Sequence, residues 1–312
     1  MCAILIEMHV LTIEQFDQTQ LALLFSKADE LRGYITADKR RELAQRHAGK
    51  QLCSLFYEPS TRTRLSFEAA ASKMGMGVVS TENAREFSSA IKGETIEDTI
   101  RVINGYHFDC VVMRHHEIGA AKKAAAVSSA PIINAGDGKG QHPTQALLDA
   151  YTIYRKFGRL DNLHVVIGGD LANGRTVRSL ALLLSGYANN RITFVSIPKL
   201  QIGKDIKAVL KKNGTVFSET SDMNRAIKDA DVVYWTRLQK ERLENPGLMI
   251  SGGFTIDKGS LKIMPKTAII MHPLPRVDEI SALIDDDPRA AYFEQAENGL
   301  YIRMALIDDI LS

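Results

Sequence analysis

The stretch LCSLFYEPSTRTRLSF, residues 52–67, joins an apolar run, a polar turn and the start of an amphipathic segment. Residues 52–57 are apolar enough to form a buried strand, and residues 61–74 carry apolar side chains at helical spacing. A strand followed closely by a helix is the repeating unit of a parallel sheet covered by helices. The stretch therefore predicts an α/β fold with a polar turn at the carboxyl end of a strand.

The same alternation continues along the 312 residues of the chain. A chain of this length predicts about two domains, and we place their boundary in the long helical segment 143–157. Further strands are predicted at 110–113, 131–134, 163–168, 192–195, 232–236 and 268–271. Further helices are predicted at 13–33, 95–104, 176–187, 203–213, 222–229 and near 300–311.

Composition and charge exclude several classes of protein. The net charge of +2 gives no large field that would attract nucleic acid or a membrane surface. Cys2, Cys53 and Cys110 are odd in number and widely spaced, which argues against a disulfide framework and indicates a reducing, cytoplasmic location. We expect no signal peptide and no membrane span, because the amino-terminal segment lacks a basic start and no apolar run is long enough. No metal-binding spacing is present, so neither a metal nor another cofactor is predicted.

Polar segments follow six of the predicted strands. In an open parallel sheet, ligands bind at the carboxyl ends of the strands. Almost all of these segments carry cationic or neutral hydrogen-bond donors, so together they predict a site for more than one negative group. The segments are EPSTRTR after 52–57, Arg114 after 110–113, AGDGKGQHPTQ after 131–134, GDLANGRT after 163–168, RLQKER after 232–236 and HPLPR after 268–271.

The turn at residues 60–64 has the composition of an anion site. Ser60 occupies a helix N-cap position, where backbone N–H groups and the helix dipole favour a phosphate. We assign Arg62 to the anion. Arg64 faces away from the first turn, and we expect it to pair with a carboxylate such as Glu68.

These segments, in this order, resemble the motif series of the transcarbamoylases: S-T-R-T-R, M-R-H, H-P-T-Q, G-R-T, R-x-Q-x-E-R and H-P-L-P-R. The resemblance runs from about residue 56 to the carboxyl end. It implies two doubly wound parallel-sheet α/β domains joined by a linking helix, with the C-terminal helix returning to the first domain. The domains would be residues 1–143 with 299–312, binding carbamoyl phosphate, and residues 144–298, binding the amino acid.

The resemblance also implies the reaction and the assembly. RLQKER and HPLPR are similar to those segments in family members that carbamoylate the α-amine of L-aspartate, a step of pyrimidine biosynthesis. The expected assembly is a homotrimer with active sites shared between chains, needing no cofactor. A trimer alone and a trimer carrying regulatory chains both fit the resemblance.

By the same resemblance, the first domain would bind carbamoyl phosphate through the donors at its strand ends. Arg114 would reach the phosphate and the carbonyl oxygen, although a salt bridge at the strand end is the alternative. His142 would bond the carbonyl oxygen and also suits an N-cap. The full set is Ser60, Thr61, Arg62, Thr63, Arg114, His142 and Gln145, with the carbonyl groups of Leu274 and Pro275; HPLPR alone would also suit a rigid turn.

The remaining residues implied by the resemblance concern aspartate and the neighbouring chain. Arg175, Thr176, Arg237 and Gln239 would bind the aspartate carboxylates and amino end, since the guanidinium fork fits a carboxylate. Ser88 and Lys92 match a family loop that enters a neighbouring subunit's site, where Lys92 would bind aspartate and be catalytic with Arg62, Arg114 and His142. Taken alone, a loop lysine is usually only solvated.

Three alternatives differ from this hypothesis. A nucleotide-dependent oxidoreductase would suit the sheet, but GDLANGRT lacks the GxGxxG pattern. A catalytically inactive homologue is disfavoured because the expected residue occupies every motif position. An ornithine carbamoyltransferase typically has H-C-L-P where this chain has Pro273, and the pair Arg237 and Gln239 suits a second carboxylate.

Overall fold

A computed structural model describes residues 9–82, 84, 93–237 and 254–312. The chain divides into two compact units, residues 1–148 with 297–312 and residues 149–296. The divisions fall inside two helices, between Leu148 and Asp149 and between Ala296 and Glu297. The predicted fold class is confirmed, since each unit contains a parallel sheet flanked by helices.

Unit 1 is built on a parallel sheet with the strand order β2-β1-β3-β4. Alternate strand residues such as Leu55, Val111 and Ile132 pack with Ile100 and Ala124 from flanking helices in a buried apolar core. The strands are β1 (Gln51–Phe56), β2 (Gly77–Thr81), β3 (Cys110–His115) and β4 (Ile132–Asp137). The helices are α1 (Gln18–Thr36), α2 (Arg40–Leu43), α3 (Thr61–Lys73), α4 (Ile96–Asn104) and α5 (Ala120–Ala125), with a 3₁₀ turn at Ile13–Gln15.

Unit 2 is built on a parallel sheet with the strand order β7-β6-β5-β8-β9. Val166, Val233, Trp235 and Ile270 from the strands form its buried core with Ile227. The strands are β5 (His164–Gly168), β6 (Arg191–Val195), β7 (Val216–Thr220), β8 (Val232–Trp235) and β9 (Ile269–Met271). The helices are α7 (Arg175–Leu184), α8 (Lys204–Lys212), α9 (Met223–Ile227) and α10 (Lys258–Ile263), with 3₁₀ turns at Pro198–Leu200 and Ala282–Ile284.

Two helices run from one unit into the other along the chain, α6 (Pro143–Phe157) and α11 (Tyr292–Leu311). The bounds of α6 agree with the prediction. The prediction for α11 was wrong at its start, because the helix begins at Tyr292 and not near residue 300. Here Asn298 accepts a hydrogen bond from Arg32 at 2.9 Å, and a Cβ on Gly299 would lie 2.3 Å from a guanidinium nitrogen of Arg303. Asn298 and Gly299 are therefore packing positions inside the helix.

Other differences from the predicted elements have local causes. Residues 13–33 are split because Asp17 caps α1 by accepting a hydrogen bond from the Gln20 N–H at 2.8 Å. The strands β2 and β7 were not predicted, since each is an edge strand with largely exposed side chains and no apolar run. Among the described helices, none combines the length and apolarity needed to cross a bilayer.

Candidate active site

The strand order in unit 1 reverses between β1 and β3, which are adjacent in the sheet. Phe56 pairs with Arg114, and the Tyr57 N–H donates to the Arg114 carbonyl at 2.9 Å. The segments that leave these two strands therefore lie side by side. Such a switch point is where open α/β sheets bind ligands.

The polar turn after β1 leads directly into the amino terminus of α3. Ser60 is the N-cap residue, but its side chain makes no capping hydrogen bond. Thr61 and Arg62 are exposed, whereas Thr63 is 7% exposed and faces the interior. The hydroxyl of Ser60 and the first N–H groups of α3 are thus grouped at one helix end, which carries a partial positive charge.

Arg62 differs from the other arginines of this turn and of β3. It forms no ion pair with any residue that the structure describes. Its side chain is exposed overall, yet partial burial of the guanidinium lowers its pKa. Arg64 instead contacts Glu68 at 3.3 Å and Glu82 at 2.9 Å, which confirms its predicted pairing with a carboxylate.

Arg114 lies inside β3 rather than after it, because the strand extends to His115. Its side chain is 8% exposed and forms an ion pair with Glu58 at 2.6 Å. A second guanidinium nitrogen donates to the Ala135 carbonyl at 3.3 Å. The predicted alternative of a strand-end salt bridge is therefore present, and it holds the guanidinium at the carboxyl end of the sheet.

The segment after β4 presents His142 and Gln145 at the start of α6. β4 extends to Asp137, whose carboxylate accepts from the Gln141 N–H at 2.7 Å and the Gly119 N–H at 2.8 Å. His142 directly precedes α6, and its carbonyl accepts from the Gln145 N–H at 3.0 Å. His142 is 3% exposed and Gln145 is 9% exposed. Asp137 thus anchors the turn that brings both side chains to this sheet end.

Unit 2 has its own switch point between β5 and β8. The Thr236 N–H and hydroxyl donate to the Gly168 carbonyl at 2.9 and 3.1 Å. Gly169 has a φ of +109°, and a Cβ there would lie 2.2 Å from the Thr236 carbonyl oxygen. Only glycine allows this approach, which places GDLANGRT beside Arg237.

Arg175 and Thr176 are the first residues of α7, one position earlier than predicted. Both side chains are partly exposed, as is that of Arg237 after β8. The switch point of unit 2 therefore combines a helix amino terminus with two arginines, as expected of a carboxylate site.

The HPLPR segment follows β9 and is fixed by its own histidine. Nδ1 of His272 accepts from the Leu274 N–H at 2.8 Å, so Nε2 carries the proton and donates to Glu279 at 2.8 Å. Leu274 has a φ of +53°, and its peptide bond to Pro275 is cis. Burial alone would raise the pKa of Glu279, but the His272 hydrogen bond and backbone N–H groups lower it.

Three side chains with metal-ligating atoms gather after β3, with those atoms within 4.8 Å of one another. They are His115, His116 and Glu117. Nδ1 of His115 already accepts the Glu117 N–H at 3.0 Å, and the Glu117 carboxylate lies 3.6 Å from Lys123. We assign this group to holding the turn after β3, and the predicted absence of a cofactor stays a prediction.

The predicted residues thus fall into separate groups. One lies at the strand ends of unit 1, and the other at the strand ends of unit 2. Ser88, Lys92 and Gln239 lie outside the described residues.

Sequence reasoning offered Glu58 to other arginines and not to Arg114, which it holds, and it gave no role to Glu279, which holds the HPLPR histidine. Glu58 is the acidic residue directly before the cationic turn in the sequence. Glu279 lies seven residues after His272, and nothing in its sequence context marks it as the partner.

The chain belongs to the aspartate/ornithine carbamoyltransferase family. Residues 8–155 match the family's carbamoyl-P binding domain, and residues 161–310 match its Asp/Orn binding domain. Among relatives, the chain is 53% identical over 301 residues to the chloroplastic aspartate carbamoyltransferase of Arabidopsis thaliana, covering 96% of this chain and 76% of the relative. It is 43% identical over 305 residues to the aspartate carbamoyltransferase catalytic subunit of Halorubrum lacusprofundi, covering 97% and 95%.

A solved structure extends the likeness to the fold. Aspartate transcarbamoylase from Trypanosoma cruzi, in complex with carbamoyl phosphate and aspartate, superposes with a TM-score of 0.90 at 36% identity. The match covers 97% of each chain. The family resemblance of the motif series is therefore confirmed.

Proposed function

We propose that this protein transfers the carbamoyl group of carbamoyl phosphate to the α-amine of L-aspartate. The products are N-carbamoyl-L-aspartate and phosphate. The observation that carries the proposal is the β1/β3 switch point: Arg62 has no ion-pair partner among the described residues and lies at the amino terminus of the helix that follows β1, and β1 pairs with the strand that carries Arg114. The relatives named as aspartate carbamoyltransferases support aspartate as the acceptor.

Unit 1 provides the groups that suit carbamoyl phosphate. The phosphate would accept from the N–H groups of α3, the hydroxyls of Ser60, Thr61 and Thr63, and the Arg62 guanidinium. Arg114 and His142 would hydrogen-bond the carbonyl oxygen, where negative charge develops during attack. Gln145 would hold the carbamoyl NH₂ group by accepting from it.

Unit 2 provides the groups that suit aspartate. Arg175 and Arg237 would each bind one carboxylate through the guanidinium fork, and Gln239 would help to orient the amino end. The Leu274 and Pro275 carbonyl groups would accept N–H groups from the reacting amines. Two carboxylate sites exclude ornithine, whose side chain is a cation.

The reaction needs no nucleophile from the protein. The neutral α-amine nitrogen forms a bond to the carbonyl carbon, and the tetrahedral intermediate expels phosphate as the C–O bond breaks. The leaving phosphate takes one amine proton. The protein contributes orientation of two anionic substrates and stabilisation of the developing charges.

Product formation with aspartate or ornithine, each with carbamoyl phosphate, tests this function. We expect turnover with aspartate alone, lost on Arg62→Ala and on Arg237→Ala. Arg40→Ala in unit 1 and Arg191→Ala in unit 2 are matched controls, because these exposed arginines pair with Asp38 and Asp229 away from the carboxyl ends of the strands. Turnover with ornithine would contradict the assignment of unit 2, and inactivity with both would favour an inactive homologue.

The assembly we propose is a homotrimer in a reducing compartment such as the cytoplasm. Exposed Leu65 and Val79, on neighbouring elements of unit 1, support burial against another copy. Light scattering should give three times the 34.5 kDa chain mass. Mixing Lys92→Ala and Arg114→Ala chains tests shared sites, since a hybrid trimer would contain one intact site. No recovery on mixing would place Lys92 in its own chain's site.

A further inference from the structure

A chain of buried polar groups crosses unit 2 behind the HPLPR segment. The Asp149 carboxylate, in α6, accepts a hydrogen bond from the Gln295 amide nitrogen at 2.6 Å. The Gln295 carbonyl oxygen accepts the His272 N–H at 2.8 Å, and His272 in turn holds the Leu274 N–H. Asp149, Gln295 and His272 are each at most 2% exposed. Their hydrogen bonds therefore lie in a water-excluded interior.

The other side of Asp149 faces the switch point of unit 2. The phenol of Tyr234, in β8, lies beside the Asp149 carboxylate and the Thr176 side chain; burial first, and then the Asp149 charge, raises the Tyr234 pKa. Tyr234 pairs in the sheet with Met271, the residue before His272. Asp149 thus lies beside the strand that leads to Arg237, and Gln295 links it to the end of the adjacent strand, which leads to HPLPR.

Burying these polar groups costs free energy of folding, and packing alone does not require them. A buried carboxyl group is unfavourable without hydrogen bonds, and apolar residues of similar size would fill the same space. The hydrogen bonds of Gln295 and His272 also support Leu274, whose left-handed backbone is uncommon for leucine and needs such support.

We propose that Asp149 and Gln295 are positioning residues for carbamoyl transfer. They fix the carbonyl groups of Leu274 and Pro275 relative to Thr176 and the strand that leads to Arg237, without contacting substrate themselves. The inference rests on the proposed function. It adds two residues that act through the backbone of HPLPR.

A donor–acceptor exchange tests the pair. Gln295→Glu sets two carboxylates against each other, which displaces the loop or forces one carboxyl to bind a proton. Asp149→Asn retains an acceptor for Gln295. The double variant combines Asp149→Asn with Gln295→Glu. The new amide at position 149 then donates to the new carboxylate at position 295, and the second oxygen of that carboxylate still accepts the backbone N–H of His272.

We expect Gln295→Glu to lower kcat with aspartate by about 10²-fold, the scale of a misplaced reacting group. The KM for carbamoyl phosphate should change much less than kcat, because the phosphate-binding groups proposed in unit 1 are untouched. The double variant should recover to within about tenfold of the wild-type kcat, as expected of a coupled pair. Asn190→Asp is the matched control: Asn190 is buried at the amino end of β6, where its amide donates to the Leu160 carbonyl at 2.8 Å, so this variant should lose stability and keep kcat.

A folded Gln295→Glu variant with wild-type kcat and KM would overturn the inference, as would a double variant no more active than Gln295→Glu. If Gln295→Glu does not fold, Gln295→Met decides, since it removes both hydrogen bonds without adding charge. The same loss of kcat supports the inference, and wild-type kcat overturns it. Absence of wild-type turnover with aspartate would overturn the proposed function and the inference together, whereas an active wild type with unaffected variants overturns the inference alone.

Discussion

Two clusters of cations in unit 1 have opposite surroundings. Near the carboxyl end of α11, Asp308 is 1% exposed and binds Lys27 at 3.0 Å, His47 at 2.9 Å and Arg46 at 2.7 Å. At the amino terminus of α3, Arg62 has no carboxylate partner among the residues described. The first cluster is already neutralised within the protein, and the second is arranged to receive an anion from outside.

The presence or absence of a carboxylate partner separates structural cations from binding cations. Around Asp308, burial alone would raise the pKa of the carboxyl, but hydrogen bonds from His47, Arg46 and Lys27 lower it well below its ordinary value. Those cations contribute to stability because they are paired. A cation at a helix amino terminus without a carboxylate partner contributes little to stability and offers its charge to a ligand.

The largest expected effect comes from breaking the structural cluster. Asp308→Asn should lower the free energy of unfolding by about 3–5 kcal/mol, because it breaks the pairing of a buried carboxylate with Lys27, Arg46 and His47. Thermal and urea unfolding measure this loss. The KM for carbamoyl phosphate in the surviving folded protein should not change, and a parallel change in KM would mean that the two clusters are coupled.

Breaking the binding cluster should affect activity instead. Arg62→Ala should lower kcat/KM for carbamoyl phosphate by about 10²–10³-fold, the effect of removing one well-placed donor to a developing charge. Its unfolding temperature should equal that of the wild type or exceed it. Added inorganic phosphate should stabilise the wild type more than the variant. A lower unfolding temperature without a kinetic defect would mean that Arg62 is a structural cation and does not bind the substrate.

Acid titration measures the contribution of Asp308 to stability separately. Because the folded-state pKa of Asp308 lies below its unfolded value, its stabilisation is fully present above the ordinary aspartate pKa of about 3.9 and is lost as the pH falls below it. The stability of Asp308→Asn should therefore depend less on pH in that range. Equal pH dependence in the two proteins would contradict the role given to Asp308.

The smallest expected effect concerns Arg114, which is intermediate between the two classes. It pairs with Glu58 in the structure and is proposed to bind substrate. Glu58→Gln should lower the KM for carbamoyl phosphate by less than about tenfold, since a partly exposed ion pair is worth roughly 1 kcal/mol or less. A higher KM would show that Glu58 orients Arg114 rather than competing for it.

Much of the fold could be predicted because buried parallel strands are short apolar runs with polar segments at their ends. The central strands of both sheets followed this rule. The edge strands β2 and β7 did not, since their exposed side chains remove the apolar signal. The start of α11 was not predicted; Gly299, a weak helix former, lies inside this helix against the Arg303 side chain.

The site residues followed from sequence to the extent that they lie directly after strands. Ser60, Arg62, Arg175 and Arg237 are such residues. The groups that hold them come from distant parts of the chain, as Glu279 does for His272. Asp149 left one trace, a single carboxylate in the apolar run QALLDAYTIY, but its partner Gln295 lies 146 residues later. Pairing over such separations is decided by topology, which local patterns do not encode.

The division of the chain has a consequence for its synthesis on the ribosome. Unit 2 is one continuous segment, residues 149–296, whereas unit 1 needs residues 297–312 to complete it. The nascent second unit therefore has all of its residues while the first still lacks Asp308, the buried carboxylate that pairs with Lys27 and Arg46. Until translation delivers that helix, these two cations lack this partner, and the earlier part of the protein depends on residues made later to finish folding.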